Sequence, residues 1–175
     1  MRRIALVICE GQTEENYINL LKKWYKSPIR IISHVDGSKI TRSLVDNRTK
    51  ELKISPWDKV HTFLMYDMDV QTVNEKVLAC KAIMLLSNPC FEIWPLLHVK
   101  DQKTPITTDV LIKELRRSAS VWKKYTKSSF SQTQQIFLKS NTNIAVERAK
   151  ALKEFQNPST SIYKLIELID NGRKH

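Results

Sequence analysis

Residues 4–9, Ile-Ala-Leu-Val-Ile-Cys, are continuously apolar and partly β-branched, and Glu10-Gly11 follows them at once. A strand without polar alternation is covered on both faces, which is the habit of parallel sheets. Parallel neighbours need long crossover connections, so this one run predicts an α/β fold. The stretch behind it predicts a helix. Thr13 is placed to cap it, Tyr17, Leu20, Leu21 and Trp24 share one face, and Lys26, Ser27 and Pro28 end it.

The same alternation of strand and helix continues to about residue 100. Residues 29–35 and 60–66 read as further strands, and 39–53 and 73–81 as helices; 82–87 fit either a helix continuation or a fourth strand. Asn88-Pro89 reads as a helix start, with Asn as cap and Pro in the first position, followed by an amphipathic helix that Pro95 would kink. The expected architecture is a right-handed βαβ arrangement with a mainly parallel sheet. Beyond a soft boundary near residue 104 the pattern becomes helical. Helices are expected over 107–118, over about 143–155, and after Asn157-Pro158, with 119–142 as a loop or lid of little order. The chain divides into an α/β core, residues 1–104, and a helical C-terminal extension, 105–175, packed on it.

Charge narrows the function. Lys and Arg number 29 against 18 Asp and Glu, a net +11, which favours a polyanionic partner. Only 3 Gly argue against a Gly-rich phosphate loop. Cys9, Cys80 and Cys90 form no Cys-x-x-Cys pair, so neither a zinc knuckle nor a disulfide framework is expected. The N-terminal apolar run is too short for a membrane span and is broken by Glu10, so a reducing, cytoplasmic setting is expected.

Parallel sheets gather functional groups at the carboxyl ends of their strands. Glu10 ends the first expected strand; Asp67 and Asp69 end the third, on the same side by alternation. Three converging carboxylates raise one another's pKa unless a cation joins them, and oxygen ligands suit Mg²⁺ or Mn²⁺. Such an ion can activate water for phosphodiester cleavage. The plainer reading is surface acids. Glu14 and Glu15 complement a helix dipole, although Glu14 is within reach of a second metal. Glu92 and His98 have two readings, an early-helix acid with a core histidine, or a further ligand with a proton carrier. Cys90 has no basic partner at nucleophile spacing. Arg116, Arg117, Lys123, Lys124 and Lys127 are interleaved with Trp122 and Tyr125, and Lys22 and Lys23 with Trp24 and Tyr25. These stretches read either as solvated helix faces or as cation and aromatic groups for unpaired bases.

The blocks "CEGQTEENY", "YDMD", "SNPCFEIWPLLH" and "NPSTSIYKL", in that order over residues 5–165, resemble the RloB-like family. The resemblance implies a Toprim-like, Rossmann-like core, as in prokaryotic proteins of restriction and abortive-infection loci, often beside an ATPase. It implies a divalent-metal nuclease, with Glu10 as acid/base or ligand and Asp67 and Asp69 holding Mg²⁺. It adds Glu14, Asn88, Glu92 and His98 as site residues. Related Toprim effectors attack RNA, including tRNA, so RNA is expected before DNA, in antiviral defence. The departures are Pro95, where a Leu-rich helix would run unbroken, and a short spacing from Glu10 to Thr13-Glu14. No ATPase motif is present, and the chain is too short for a topoisomerase. The rival expectation is a non-catalytic protein whose basic surface docks nucleic acid or a partner ATPase.

Overall fold

The structure, a computed structural model, describes residues 2–26 and 28–173; Ser27, in the expected end of the first helix, lies outside them. Five strands form one sheet: β1 (Arg3–Cys9), β2 (Ile29–Val35), β3 (Lys59–Asp67), β4 (Ile83–Asn88) and β5 (Ser159–Thr160). Their order is β2-β1-β3-β4-β5. The first four run parallel, and β5 lies antiparallel to β4 with Ser87 opposite Thr160. The α/β class and mainly parallel sheet expected from residues 4–9 are therefore present, an arrangement consistent with Rossmann- and Toprim-like folds.

Three crossovers link the parallel strands: α1 (Gln12–Trp24), α2 (Arg42–Glu51) and α3 (Gln71–Leu78). The chain steps from β1 out to β2, then passes back over β1 to reach β3. The direction of winding thus reverses between β1 and β3, which opens a crevice beyond their carboxyl ends. Strand alternation sorts the core. Ala5, Val7, Cys9, Phe63 and Met65 pack on one face with Tyr17, Ile18 and Leu21 of α1. Leu6, Ile8, Leu64 and Tyr66 pack on the other with Val45 of α2 and Val73 and Val77 of α3. Five further helices follow: α4 (Ile93–Val99), α5 (Thr108–Ser118), α6 (Gln132–Ser140), α7 (Thr142–Lys150) and α8 (Tyr163–Arg173). Trp94, Leu111, Leu138, Ala149 and Leu165 from these helices join the α1-side cluster, so apolar groups from both sides of residue 104 share one core.

Four local expectations need correction. Of the two readings for 82–87 the strand holds, as β4 (Ile83–Asn88), and Asn88 ends it rather than capping a helix. Its side-chain amide donates to the Phe155 carbonyl at 2.9 Å, and α4 begins only at Ile93. Pro95 then sits in the first turn of α4, where a backbone N–H has no intrahelical partner, so it imposes no kink. The last helix expected after Asn157-Pro158 is present as α8 but starts only at Tyr163, because β5 comes first: Thr160 pairs with Ser87 through both backbone and hydroxyl, the latter at 2.9 Å. Residues 119–142 are ordered: a 3₁₀ turn (Ser120–Trp122) and α6 are anchored by buried Trp122, Tyr125, Phe130 and Leu138. Ser131 caps α6 while Gln134 reaches back to the Ser131 N–H, a reciprocal capping pair.

Candidate active site

The crevice between β1 and β3 is where carboxylates meet. Register places Cys9 beside Met65, so Glu10, one residue on, and Asp67, two residues on, leave the ends of adjacent strands within a residue of the same height. The Asp67 N–H donates to Glu10 Oε2 at 2.7 Å, and the Phe91 N–H donates to Asp67 Oδ1 at 2.7 Å. Both carboxylates are thereby clipped to the main chain with one oxygen each still free of these bonds. Glu14 joins them from the first turn of α1. Its Oε2 accepts from the Gly11 N–H at 3.1 Å, and a Cβ at Gly11 would stand 3.3 Å from the same oxygen. Glycine therefore leaves the carboxylate its room. Thr13, expected as the helix cap, lies inside α1, which starts after Gly11.

Glu92 completes the group from the turn before α4. It is 0 % exposed. Its Oε1 accepts from the Tyr125 hydroxyl at 3.0 Å and lies 3.6 Å from Lys127 Nζ, while Oε2 is buried with no partner. Electrostatics shows how tightly these groups face one another. Burial, then the charges of Glu14, Glu10 and Glu92, hold Asp67 well above the usual carboxylate range. Burial, with Glu10 and Glu92 behind it, pushes Glu14 up to about 7. Burial raises Glu10 as well; Asp69 adds to this, and the Asp67 N–H and Lys127 oppose it. Lys127 feels the reverse. Burial alone would lower its pKa, but Glu92, Asp67 and Glu14 raise it.

The structure thus brings together Glu10, Glu14, Asp67 and Glu92 of the expected site residues. Asp69 stands at the rim. β3 ends at Asp67, so strand alternation no longer directs the side chain two residues on, and Asp69 is exposed. His98 is not brought to the carboxylates. It is buried on α4, its Nδ1 against the Trp94 carbonyl at 2.8 Å and its ring edge-on to Trp94, and burial lowers its pKa to about 4. The Asn88 side-chain amide is spent on the Phe155 carbonyl and on none of the four carboxylates. The expected nucleic-acid contacts Arg116, Arg117, Lys123 and Lys124 are all exposed, and Arg116 also donates through Nε to the Tyr125 carbonyl at 3.1 Å. Trp122 and Tyr125 are buried, so neither ring is free to stack on a base. Cys90 is buried and its thiol pKa raised, which fits no nucleophile.

Sequence reasoning counted Lys127 among the basic residues but did not place it here. It arrives on a turn, residues 126–129, closed by a bridge between Thr126 and Ser129. Thr13 Oγ1 donates to the Lys127 carbonyl at 2.7 Å, and Asn16 Nδ2 to the Ser128 carbonyl at 2.9 Å. Helix α1 therefore holds both Glu14 and the lysine that faces it. The available signal was only the nearness of Tyr125 and Lys127 in sequence; the turn, which no strand alternation governs, brings the hydroxyl and the ammonium to the same Glu92 oxygen.

The donor set fits a hard divalent cation: all oxygen, four carboxylates, one buried oxygen without a partner, and a single resident lysine against them. Among the described residues no three His, Cys, Asp or Glu side chains form a preformed metal cage. An ion would be gathered by side-chain rotation.

No helix among the described residues is long and apolar enough to cross a membrane. No curated protein and no solved structure matches the chain. The family model described as RloB-like protein matches residues 5–169, which carry every carboxylate of the crevice and Lys127. The chain belongs to the RloB-like family.

Proposed function

We propose that this protein is a Mg²⁺- or Mn²⁺-dependent nuclease of Toprim type. The observation that carries the reading is the meeting of Glu10, Glu14, Asp67 and Glu92 at the switch point of the sheet, with Lys127 against them. Like charges are kept this close in a crevice where a cation and a phosphate are to be bound. Glu10 and Asp67, each fixed by a backbone N–H, are the ligands whose positions are best determined, with Asp69 approaching from the rim. Without a cation in the crevice, Glu14 is pushed up to about 7 by burial and by Glu10 and Glu92. With a divalent ion bound there its pKa falls, which leaves Glu14 a carboxylate able to accept a proton. Lys127 is placed to meet a phosphoryl oxygen as charge develops on it. A bound divalent ion supplies a water of lowered pKa and neutralises the departing oxygen.

RNA, including tRNA, as the preferred substrate, a role as effector in antiviral defence, cytoplasmic action and an ATPase partner on another chain rest on the resemblance to Toprim effectors and on the net +11. The test is thermal unfolding with and without Mn²⁺, on wild type and on Asp67→Asn, together with cleavage of RNA and DNA. Mn²⁺ should raise the melting temperature of wild type alone, since a ligand of the native state stabilises it. Metal-dependent cleavage that survives Asp67→Asn would sink the proposal. A second reading, a non-catalytic protein that docks nucleic acid or an ATPase, is favoured by the lack of a preformed cage among the described residues. It gains if no metal shifts either protein.

A further inference from the structure

The segment that carries Lys127 has a second side. Lys127 itself turns to Glu92. Its neighbours Thr126 and Ser129 line a cleft of about 420 Å³, with Ser120, Lys123, Lys124 and Thr133 among the other walls. No Asp or Glu lines this cleft. Among the described residues neither Lys123 nor Lys124 has an ion-pair partner. The nearby aromatic rings, Trp122 and Tyr125, are 0 % and 1 % exposed and do not enter it. The walls offer two cations and several hydroxyls beside Val121 and Gln134, and no aromatic platform for a base. The Thr126 and Thr133 hydroxyls already meet those of Ser128 and Ser131, and each keeps lone-pair or donor capacity for a phosphate oxygen.

The geometry points to a seat for the phosphodiester backbone of a single nucleic-acid strand, held by Lys123, Lys124 and the hydroxyls of Ser120, Thr126, Ser129 and Thr133, and leading along the 126–129 turn to Lys127 and the carboxylates. This deepens the nuclease reading and rests on it. Hydroxyls donate to phosphate oxygens and lysines neutralise them, and neither contact carries base information. A concave cleft of this size receives one backbone. The seat grips the strand without regard to sequence, so any sequence preference of the protein arises elsewhere.

The experiment is fluorescence anisotropy of short labelled oligouridylate and oligoadenylate over a range of salt, in EDTA. Three proteins are compared: wild type, the double variant Lys123→Gln/Lys124→Gln, and a charge-matched control, Lys50→Gln/Lys81→Gln, in exposed positions outside the cleft. The expected result is similar binding of both oligonucleotides by wild type. For the cleft variant, affinity falls and the slope of log K against log salt shrinks by about 1.4, at about 0.7 per lost phosphate contact on a single strand. The control keeps the wild-type slope. Unchanged affinity and slope in the cleft variant, an equal loss in the control, or no binding by wild type overturns the inference. Cleavage is read separately with Mn²⁺. If the cleft variant binds like wild type while Asp67→Asn abolishes cleavage, the seat is wrong and the nuclease reading stands. If the cleft variant loses binding and nothing is ever cut, the seat stands and the nuclease reading fails.

Discussion

Glu14 and His98 are both buried ionisable groups, and they pull stability in opposite directions with pH. Glu14 rises from 4.5 to about 7 on folding, so the native state holds a proton that the unfolded chain releases between those values. Its contribution is complete below pH 4.5 and is lost as pH rises to about 7, a loss of roughly 3 kcal/mol at 1.36 kcal/mol per unit. Glu10 and Asp67, also raised, act in the same sense. His98 falls from 6.5 to about 4, chiefly through burial; its bond to the Trp94 carbonyl opposes this, and Arg148 adds a smaller push in the same direction as burial. Its contribution is complete above pH 6.5 and is lost as pH falls toward 4. Denaturant titrations across pH 4 to 8 separate the two. Glu14→Gln keeps an acceptor for the Gly11 N–H and should flatten the decline toward neutral pH, making the metal-free protein more stable than wild type above pH 7. His98→Phe should steepen that decline, whatever it does to absolute stability. A Glu14→Gln curve parallel to wild type would show that Glu14 is not held protonated by its neighbours.

At the scale of elements, the decisive contact is between α1 and the 126–129 turn. Two α1 side chains, Thr13 and Asn16, hold two carbonyls of that turn. Thr13→Val removes one bond and should cost about 1 kcal/mol or less in global stability. Hydrogen exchange at residues 126–130 should quicken, and cleavage should fall further than stability does. Ser131→Ala removes the cap of α6 and should cost about 1 kcal/mol. Some elements were legible because one signal dominated. The unbroken apolar run of β1 and the "DMD" stop after β3 placed Glu10 and Asp67 correctly. The turn at Asn88-Pro89 was misread because Asn and Pro carry the same signal at a helix start as at a strand end. What chose between them was Phe155, a partner 67 residues away. The order in 119–142 was missed for a related reason. Its polar composition suggests a loop, while Trp122, Tyr125, Phe130 and Leu138 are anchors, and the Ser131–Gln134 capping pair is the local sign of order. Lys127 could not be placed because its position depends on Glu92 and α1, both distant in sequence.

The whole molecule is joined across residue 104 by more than surface contact. β5 pairs with β4, α4 packs on α5 and α7, and the α1-side core draws on both halves. A fragment of residues 1–104 should therefore lack a cooperative thermal transition and bind a hydrophobic dye, because Trp94, Leu96 and Leu97 lose the partners that cover them; a sharp transition in that fragment would contradict this. The central place of β1 has a further consequence for a chain being made on the ribosome. The earliest of these five strands to be synthesised is flanked by β2 and β3, so it waits for residues 59–67 before its second neighbour exists. The acidic crevice is framed next, with Glu92, and its lysine emerges only at residue 127. A growing chain thus passes through a stage in which the four acids are present without the lysine that faces them, after the parallel strands have been made and before α6, α7, β5 and α8.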